Sequence, residues 1–209
     1  MTKAKPSAAS ARRPAQAEFD RVTSSVRRQL AAAPARPAVR SRHIGALLAF
    51  SRTQHLGPAL MRITFEHAGT AQWAARVIDH RDIQVSPADG GSGTLLIRRP
   101  HEVLGSYGYR DERWVFGLGL DAALGISRGA VHGAGTFTRE GLCITCPSSA
   151  MMLTLYAVMG RLGIEAKLPR GWRGVIISAG DVPAALDLLG IAGAGDAYRL
   201  LRTDPRRAA

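Results

Sequence analysis

The sequence predicts an α/β protein made of two similar lobes. Three observations support this: a glycine-rich stretch with helical spacing, a second copy of it 84 residues earlier, and a similar order of helices and strands after each copy. The chain has 209 residues, of which 46% are hydrophobic. That is enough for two small lobes with a real core.

The glycine-rich stretch, residues 127–137, defines the more informative helix. Gly129 and Gly133 are four residues apart, so they lie on one helix face. A glycine inside a helix costs about 0.5–1 kcal/mol relative to alanine, so these glycines need a compensating close approach of another backbone. The alternative, from the breaker residues alone, is a glycine-rich loop from Gly125 to Gly135.

The second copy, residues 43–51, has Gly45 and Ala49 at the same spacing of four. Aligning the glycines places Gly45 at the position of Gly129. We therefore predict that Gly45, Ala49, Gly129 and Gly133 form the contact between two helices that join the lobes at a pseudo-twofold axis.

The elements after the two copies follow a similar order. After the first copy we predict strands over 59–66, 82–86 and 94–98 and helices over 71–78 and 100–107. After the second copy we predict strands over 142–146, 164–168 and 174–178 and helices over 148–162 and 182–189. A repeat this long indicates a duplicated domain, with two αββαββα lobes whose antiparallel sheets form a saddle. We place the lobes at 18–110 and 111–202, with a tail at 203–209.

The charge balance favours a polyanionic partner. There are 28 Lys+Arg against 16 Asp+Glu, a net charge of +12, and lysine occurs only at Lys3, Lys5 and Lys167. Arginine suits phosphate because its planar donors bind bidentately, although a GC-rich coding sequence would also enrich arginine. The predicted phosphate contacts are Lys3, Lys5, Arg12, Arg13, Arg62, Arg98, Arg99, Arg170 and Arg173.

Residues 1–17 contain no acids and are mostly alanine, serine, proline and basic residues. A transit peptide would share this composition, but we interpret the segment as a disordered basic arm. No run approaches the roughly 18 apolar residues of a membrane span.

The other reactive residues predict no catalytic or metal chemistry. Cys143 and Cys146 form a lone CxxC, whereas a zinc site needs four ligands, so structural thiols are favoured over a metal or redox site. His132 lies on the glycine-rich helix and is more often a packed residue than a ligand. We predict no cofactor, no metal and no small-molecule substrate.

Residues 127–137 resemble the LAGLIDADG helix of homing endonucleases with the acids replaced. His132 stands at the first acidic position and Ala134 at the metal-holding one, and Phe50 takes the latter place in the first copy. A hard cation needs oxygen ligands, which alanine and phenylalanine lack. The resemblance therefore implies the nuclease scaffold without nuclease activity, and we predict that the protein is not an enzyme.

Residues 18–202 also resemble WhiA, a family of bacterial transcription factors built on a degenerate LAGLIDADG scaffold. The segments that carry this resemblance are residues 19–30, the two motif copies, and residues 144–147, 161–167 and 173–178 with Asp181. The family's helix-turn-helix would need about 50–60 further residues, and the chain ends seven residues after Arg202. The family's paired cysteines near the first motif helix are also absent.

The resemblance implies a cytoplasmic, nucleoid-associated regulator of transcription in cell division or sporulation. With the basic charge, it predicts weak, nonspecific DNA contact. The alternative is a protein-interaction module that binds a WhiB-like iron–sulfur protein or a full-length WhiA-like relative. A folded scaffold with no activity of its own is a third interpretation. The sequence leaves open whether the saddle is basic or acidic, because a one-residue error in register reverses every side chain.

Overall fold

The computed structural model describes the backbone of residues 8–203 and the side chains of residues 16–88 and 90–203. The helices are α1 (Ala8–Ala32), α2 (Pro37–Phe50), α3 (Ala68–Ile78), α4 (Pro100–Leu104), α5 (Leu120–Ala134), α6 (Ser149–Arg161), α7 (Val182–Leu188) and α8 (Ala192–Thr203). The strands are β1 (Arg52–Gly57), β2 (Leu60–Phe65), β3 (Ile83–Pro87), β4 (Gly93–Arg98), β5 (Tyr109–Arg110), β6 (Arg113–Trp114), β7 (Gly135–Phe137), β8 (Gly141–Thr145) and β9 (Gly174–Ser178).

The two copies of the glycine motif are both helical, which excludes the glycine-rich loop. Helix α2 starts at Pro37, where the missing N–H of proline costs nothing. Helix α5 starts after Gly119, whose φ of 97° favours glycine. Each helix leads almost directly into the first strand of a sheet, β1 or β7.

Both sheets are antiparallel, as predicted. The first has the strand order β1-β2-β4-β3 and the second β7-β8-β9, while β5 and β6 form a separate hairpin. In β2, Met61, Ile63 and Phe65 are buried and Arg62 is exposed, so one face covers a core and the other meets solvent.

Two hydrophobic cores lie under the two sheets. Ile44, Leu47 and Leu48 of α2 pack with β2, α3 and β4 under the first sheet. Ala46 and Phe50 of the same helix belong to the other core, which lies under β7, β8 and β9. Helix α2 therefore joins the two lobes physically. None of the helices in the described part of the chain is long and apolar enough to cross a membrane.

Helix α1 packs with the second lobe, although residues 18–32 fall within the range predicted for the first. Its apolar face joins the core under the second sheet, with Val26 and Leu30 fully buried. Phe19 lies against Tyr198 of α8, with ring centroids 6.0 Å apart. Helix α1 therefore packs on the lobe formed by the later half of the chain. Sequence periodicity indicates a buried face but not the lobe that buries it.

Several elements differ from the sequence prediction. Helix α1 begins at Ala8, so the predicted disordered arm is wrong for residues 8–17, while residues 1–7 lie outside the described residues. The predicted strand over 164–168 is wrong: only Lys167 pairs there, in an isolated bridge with Ile176. The neighbouring Pro169 lacks the N–H that a longer ladder needs. Strands β1 and β7 and helix α8 were not predicted.

Candidate nucleic-acid interface

Helices α2 and α5 pack backbone to backbone through three glycines of α5. A Cβ built at Gly125 would lie 2.5 Å from the carbonyl oxygen of Val39, and one at Gly129 would lie 2.6 Å from the Cβ of Ala46. A Cβ at Gly133 would lie 3.0 Å from the carbonyl oxygen of Leu47. These glycines, spaced by four, form a stripe without side chains that allows the close approach. The predicted roles of Gly129 and Gly133 agree with these contacts.

The prediction for Gly45 is wrong. A Cβ there would overlap the carbonyl oxygen of Tyr107, in the 3-10 turn after α4, so Gly45 faces away from α5. Ala46 opposes Gly129 instead, and Ala49 is buried in the core of the second lobe. The residue of α2 that faces Gly129 is therefore one position later than the alignment on glycines predicts. Adjacent residues of a helix with 3.6 residues per turn lie on neighbouring faces, so a difference of one residue changes the face that meets α5.

Counted from the Ala46–Gly129 contact, Ser51 takes the position that corresponds to Ala134, whereas the alignment on glycines places Phe50, the last residue of α2, there. Phe50 is buried in the core of the second lobe. The Ser51 hydroxyl donates a hydrogen bond to the Leu47 carbonyl oxygen, 2.7 Å away. Neither Ser51 nor Ala134 carries a carboxylate, and no group of three or more His, Cys, Asp and Glu residues that could hold a metal occurs among the residues the structure describes. These positions do not fit the divalent cations of the intact motif.

A central cavity of about 600 Å³ opens where the two helices end and the two sheets meet. Its walls include Ser51 and Ala134 from the helix ends, Arg52 and Thr64 from the first sheet, and Thr136 from the second. Glu66 is the one acid among the described residues that line it. Glu66 forms an ion pair with Arg27, with 2.9 Å between Oε2 and Nη2.

The solvent face of the first sheet carries three arginines, which we call the arginine face: Arg52, Arg62 and Arg98. The register fixes them on one side, since Arg52 is paired with Thr64, and Arg98 with Leu60, on the strand of Arg62. Partners opposite one another in a sheet point to the same side, and residues two apart on a strand do so as well. The remaining side chains on this side are Gln54, Leu60, Thr64, Gln84, Ser86, Thr94 and Leu96. No described residue of the four strands on this side is acidic. The acids that flank the strands, Glu66 after β2 and Asp82 before β3, form ion pairs with Arg27 and Arg99, so the face is positively charged.

The second sheet presents a nearly neutral face to the same cavity. Thr136 pairs with Cys143, and Cys143 with Ile176, so these side chains share one side. Lys167 joins them through its bridge to Ile176. The saddle is therefore asymmetric, with arginines on the first half and mostly small or uncharged residues on the second.

The predicted phosphate contacts are dispersed in the structure. Lys3 and Lys5 lie outside the described residues, and Arg12 and Arg13 are in α1 with side chains that are not described. Arg62 and Arg98 lie on the arginine face. Arg52 of the same face was missed, because β1 was not recognised as a strand and the alternation that aligns it with Gln54 was not visible.

Three further predicted contacts have different surroundings. Arg99 has a left-handed backbone (φ 51°) and forms ion pairs with Asp82 and with Glu102, the latter at 2.7 Å. It is therefore less available to phosphate than its neighbour Arg98. Arg170 and Arg173 are exposed in the loop before β9. The Arg173 carbonyl oxygen accepts a hydrogen bond from the amide of Cys146, which lines the central cavity.

A buried histidine pair spans the two helices. The Nε2 of His43 lies 3.1 Å from the Nδ1 of His132, and Trp73 packs against both rings, with centroid distances of 5.0 Å. Burial lowers the pKa of His43 to about 3, and it also lowers the pKa of His132 well below its ordinary value. Both rings are therefore neutral at pH 7. His132 is a packed, hydrogen-bonded residue, as predicted.

Arg27 of α1 completes the end of α5. Its Nε donates to the His132 carbonyl oxygen (3.2 Å), and its Nη2 donates to Glu66 and to the Gly135 carbonyl oxygen (3.3 Å). Carbonyls at a helix C-terminus lack intrahelical donors and carry partial negative charge, so a buried guanidinium suits this place. No sequence motif indicated this contact, because Arg27 is distant in the chain from the residues it binds.

The two cysteines are free thiols. Cys143 is half-buried on the second sheet and Cys146 is buried beside the central cavity. Burial raises the pKa of Cys146 to about 11, which keeps this thiol protonated at neutral pH and lowers its reactivity. The chemistry of this pair is therefore that of packed side chains.

Comparison with solved structures shows the class of fold. The structure matches full-length DUF199/WhiA from Thermatoga maritima with a TM-score of 0.62 at 15% identity, covering 88% of this chain and 69% of that one. It matches the N-terminal LAGLIDADG domain of DUF199/WhiA with a TM-score of 0.58 at 15% identity, covering 80% and 89%. It also matches I-DmoI, solved in complex with DNA and Mn, with a TM-score of 0.54 at 14% identity, covering 73% and 96%.

No protein-family model matches the sequence, and no curated protein matches it at the level of sequence. The likeness at 14–15% identity lies in the fold. The chain accordingly has a WhiA-like LAGLIDADG fold: two duplicated α/β lobes joined by a pair of motif helices.

Proposed function

We propose that this protein is a non-enzymatic, DNA-associated regulator that binds the backbone of duplex DNA through its arginine face. The observation that carries the proposal is the placement of Arg52, Arg62 and Arg98 on one side of the first sheet, where its strands contribute no acid. Arg52 also lines the central cavity. Guanidinium groups on a rigid sheet neutralise phosphates without reading bases. The neighbour I-DmoI was solved with DNA, which supports the same partner for this fold.

The setting we propose is transcription control of cell division or sporulation, in the manner of WhiA. The support for this setting is the likeness to two DUF199/WhiA structures together with the resemblance of the sequence segments. We propose that the protein acts in the cytoplasm, at the nucleoid.

Catalysis is excluded from the proposal because the metal-holding positions lack carboxylates. The Ser51 hydroxyl donates a hydrogen bond to the Leu47 carbonyl oxygen, and Ala134 has no side-chain oxygen. We expect supercoiled plasmid to stay intact when incubated with purified protein and Mg²⁺ or Mn²⁺. Metal-dependent nicking that follows the protein through purification would overturn this part of the proposal.

Binding to DNA is tested with paired arginine variants. We expect Arg62→Gln combined with Arg98→Gln to weaken binding to a 25-base-pair duplex about tenfold at low salt, since two phosphate contacts are lost. The matched control is Arg76→Gln with Arg81→Gln, because both arginines are exposed but lie outside the arginine face. Fluorescence anisotropy with two unrelated duplexes should give similar affinities. Equal loss in both double variants would show that only net charge matters.

A protein-interaction module remains the second candidate, and one observation favours it. Val115 and Leu118 before α5 and Leu120 at its first position are exposed, and 89% of the Leu118 surface is exposed. This segment lies at the start of α5, the helix end opposite the central cavity. Exposed apolar side chains that are close together in the chain are common at interfaces with other proteins. A partner regulator bound there would leave the arginine face free.

Replacing Leu118 and Leu120 with glutamine separates the two candidates. The DNA-binding proposal predicts unchanged DNA affinity, because neither residue lies on the sheets. If the variant loses binding to a purified partner regulator while DNA affinity is absent in the wild type, the interaction module becomes the better account.

A further inference from the structure

A second cavity, of about 280 Å³, lies between α1 and the start of α3. We call it the α1–α3 cavity. The lining residues that matter here are Arg27, Arg28, His67, Gly69, Thr70 and His132. It is distinct from the central cavity, from which the Arg27–Glu66 ion pair separates it.

The side chains that line the α1–α3 cavity are positively charged or uncharged, and the acids Glu66 and Asp20 act on His67 from outside the wall. None of the described residues that line it is acidic. Arg28 is exposed at its mouth and has no ion-pair partner among the described side chains. Arg27 forms an ion pair with Glu66, which lines the central cavity. Asp20, one turn before Ser24 on α1, accepts a hydrogen bond from Gln16 at 3.0 Å and lies outside the cavity wall.

The start of α3 opens into this cavity without a cap. His67 is the N-cap residue and makes no capping hydrogen bond, and the first turn contains no acid. The amides of Thr70 and Ala71 donate to the His67 carbonyl oxygen, which leaves the amides of Ala68 and Gly69 without an acceptor in the described structure. Helix N-termini carry free donors and partial positive charge. Gly69 is exposed, and a Cβ built there would meet open space.

Two buried side chains in the wall each have a polar atom without a hydrogen-bond partner among the described residues. Thr70 is only 6% exposed, and its hydroxyl forms no hydrogen bond with any described residue. His132 is 1% exposed and bonds His43 through Nδ1, while its Nε2 has no described partner. Both residues line the cavity, so these polar groups are available to an acceptor bound there.

We propose that the α1–α3 cavity binds a phosphate group, held by Arg28, by the free amides at the start of α3, and by the Thr70 hydroxyl and the His132 ring. The site goes beyond the proposed DNA contact, because none of these residues lies on the arginine face. Bidentate donation from arginine, free helix amides and a hydroxyl together match the tetrahedral oxygens of phosphate. The phosphate belongs either to a small phosphorylated molecule or to the DNA backbone, and the two sources are separable by experiment.

Phosphate binding would also fix the tautomers of the histidine pair. The His132 Nε2 must then carry its proton to donate to the phosphate, so its Nδ1 accepts from the Nε2–H of His43. The occupied cavity would thereby be connected to the contact between α2 and α5 through one hydrogen bond.

The test is titration of the full chain with inorganic phosphate, against chloride at equal ionic strength, followed by calorimetry and by ¹⁵N shifts of the α3 amides. We expect saturable binding that Arg28→Glu weakens at least tenfold. The matched control Arg21→Glu, also exposed on α1 but outside the cavity, should bind as the wild type does. Absence of saturable binding up to 10 mM phosphate (on the order of the weakest useful affinity), or equal loss in both variants, would overturn the proposal.

A second variant separates ligand binding from structural damage. Thr70→Val keeps the shape of the side chain and removes the hydroxyl that has no hydrogen-bond partner. The protein without phosphate should therefore unfold at the same or a higher temperature. Phosphate affinity should nevertheless fall severalfold. Unchanged affinity in this variant would remove Thr70 from the site and contradict the assignment.

Measuring the affinity of the same variants for duplex DNA distinguishes the two sources of the phosphate. If Arg28→Glu weakens phosphate binding and leaves duplex affinity equal to that of Arg21→Glu, the ligand is a small phosphorylated molecule. If duplex affinity falls in parallel with phosphate affinity, the site holds a backbone phosphate. Failure of the arginine-face variants would not affect either result.

Discussion

Among single residues, the glycines of the two motif helices make different packing contacts. Gly129 and Gly133 exclude side chains from the contact between α2 and α5, whereas Gly45 makes room for the Tyr107 carbonyl. The spacing of four predicted a helix face of small residues correctly. It did not reveal the facing partner, because the side of α2 that meets α5 depends on how Leu47 and Leu48 pack beneath the first sheet.

The close approach at Gly129 has a measurable consequence. We expect Gly129→Ala to lower the free energy of unfolding by about 1–3 kcal/mol, because a methyl group would overlap Ala46 and the backbone of α2. Gly160→Ala is the matched control, since Gly160 is also within a helix but has open space beside it. That change should stabilise the protein by about 0.5–1 kcal/mol. Urea unfolding of both variants measures these changes. A Gly129→Ala variant more stable than the Gly160→Ala variant would contradict the close contact.

The buried histidines make stability depend on pH. Both pKa values are lowered in the folded protein, that of His43 to about 3, so the unfolded chain binds more protons below its ordinary histidine pKa. Stability is therefore fully present above about pH 6.5 and is lost as the pH falls toward 3, by up to ~1.4 kcal/mol per pH unit for each histidine. Replacing both with glutamine should flatten the dependence between pH 6 and 4. A slope equal to that of the wild type would contradict the buried, neutral pair.

At the scale of elements, most of each lobe follows from local patterns. Alternation predicted β2, β4, β8 and β9, and apolar helical runs predicted α3 and α6. Strands β1 and β7 were not predicted from the sequence. Strand β1 is largely exposed and β7 has three residues, so neither shows a clear alternation of apolar and polar residues. The role of α1 escaped because its partners are more than a hundred residues away, as the bonds from Arg27 to His132 and Gly135 show.

The contact of α1 with the end of α5 gives a prediction at this scale. We expect Arg27→Met to destabilise the protein by about 1–3 kcal/mol, because two buried carbonyl oxygens would lose their donor. Arg21→Met, an exposed position on the same helix, should change stability by less than ~0.5 kcal/mol. Chemical denaturation of the two variants measures the difference. Equal stabilities would show that water satisfies those carbonyls as well as Arg27 does.

At the scale of the whole molecule, the duplication is structurally regular but chemically uneven. Both lobes begin with the order helix, strand, strand, helix, but two strands follow in the first lobe and one in the second, and only the first sheet carries the arginine face. The repeat and the fold class were accessible from the sequence. The location of the charge was not, because it required the pairing register, in which a shift of one residue reverses the two faces of a strand. This asymmetry suits contact with one stretch of DNA backbone rather than symmetric recognition of two half-sites.

The most direct test of the central claim is the salt dependence of duplex binding. For the wild type, the logarithm of the association constant should fall steeply with the logarithm of salt concentration, by about 0.9 for each phosphate neutralised. The triple variant Arg52→Gln, Arg62→Gln and Arg98→Gln should lose about 3 from that slope, one contact for each arginine. Parallel lines for the wild type and the triple variant would show that the first sheet does not bind DNA.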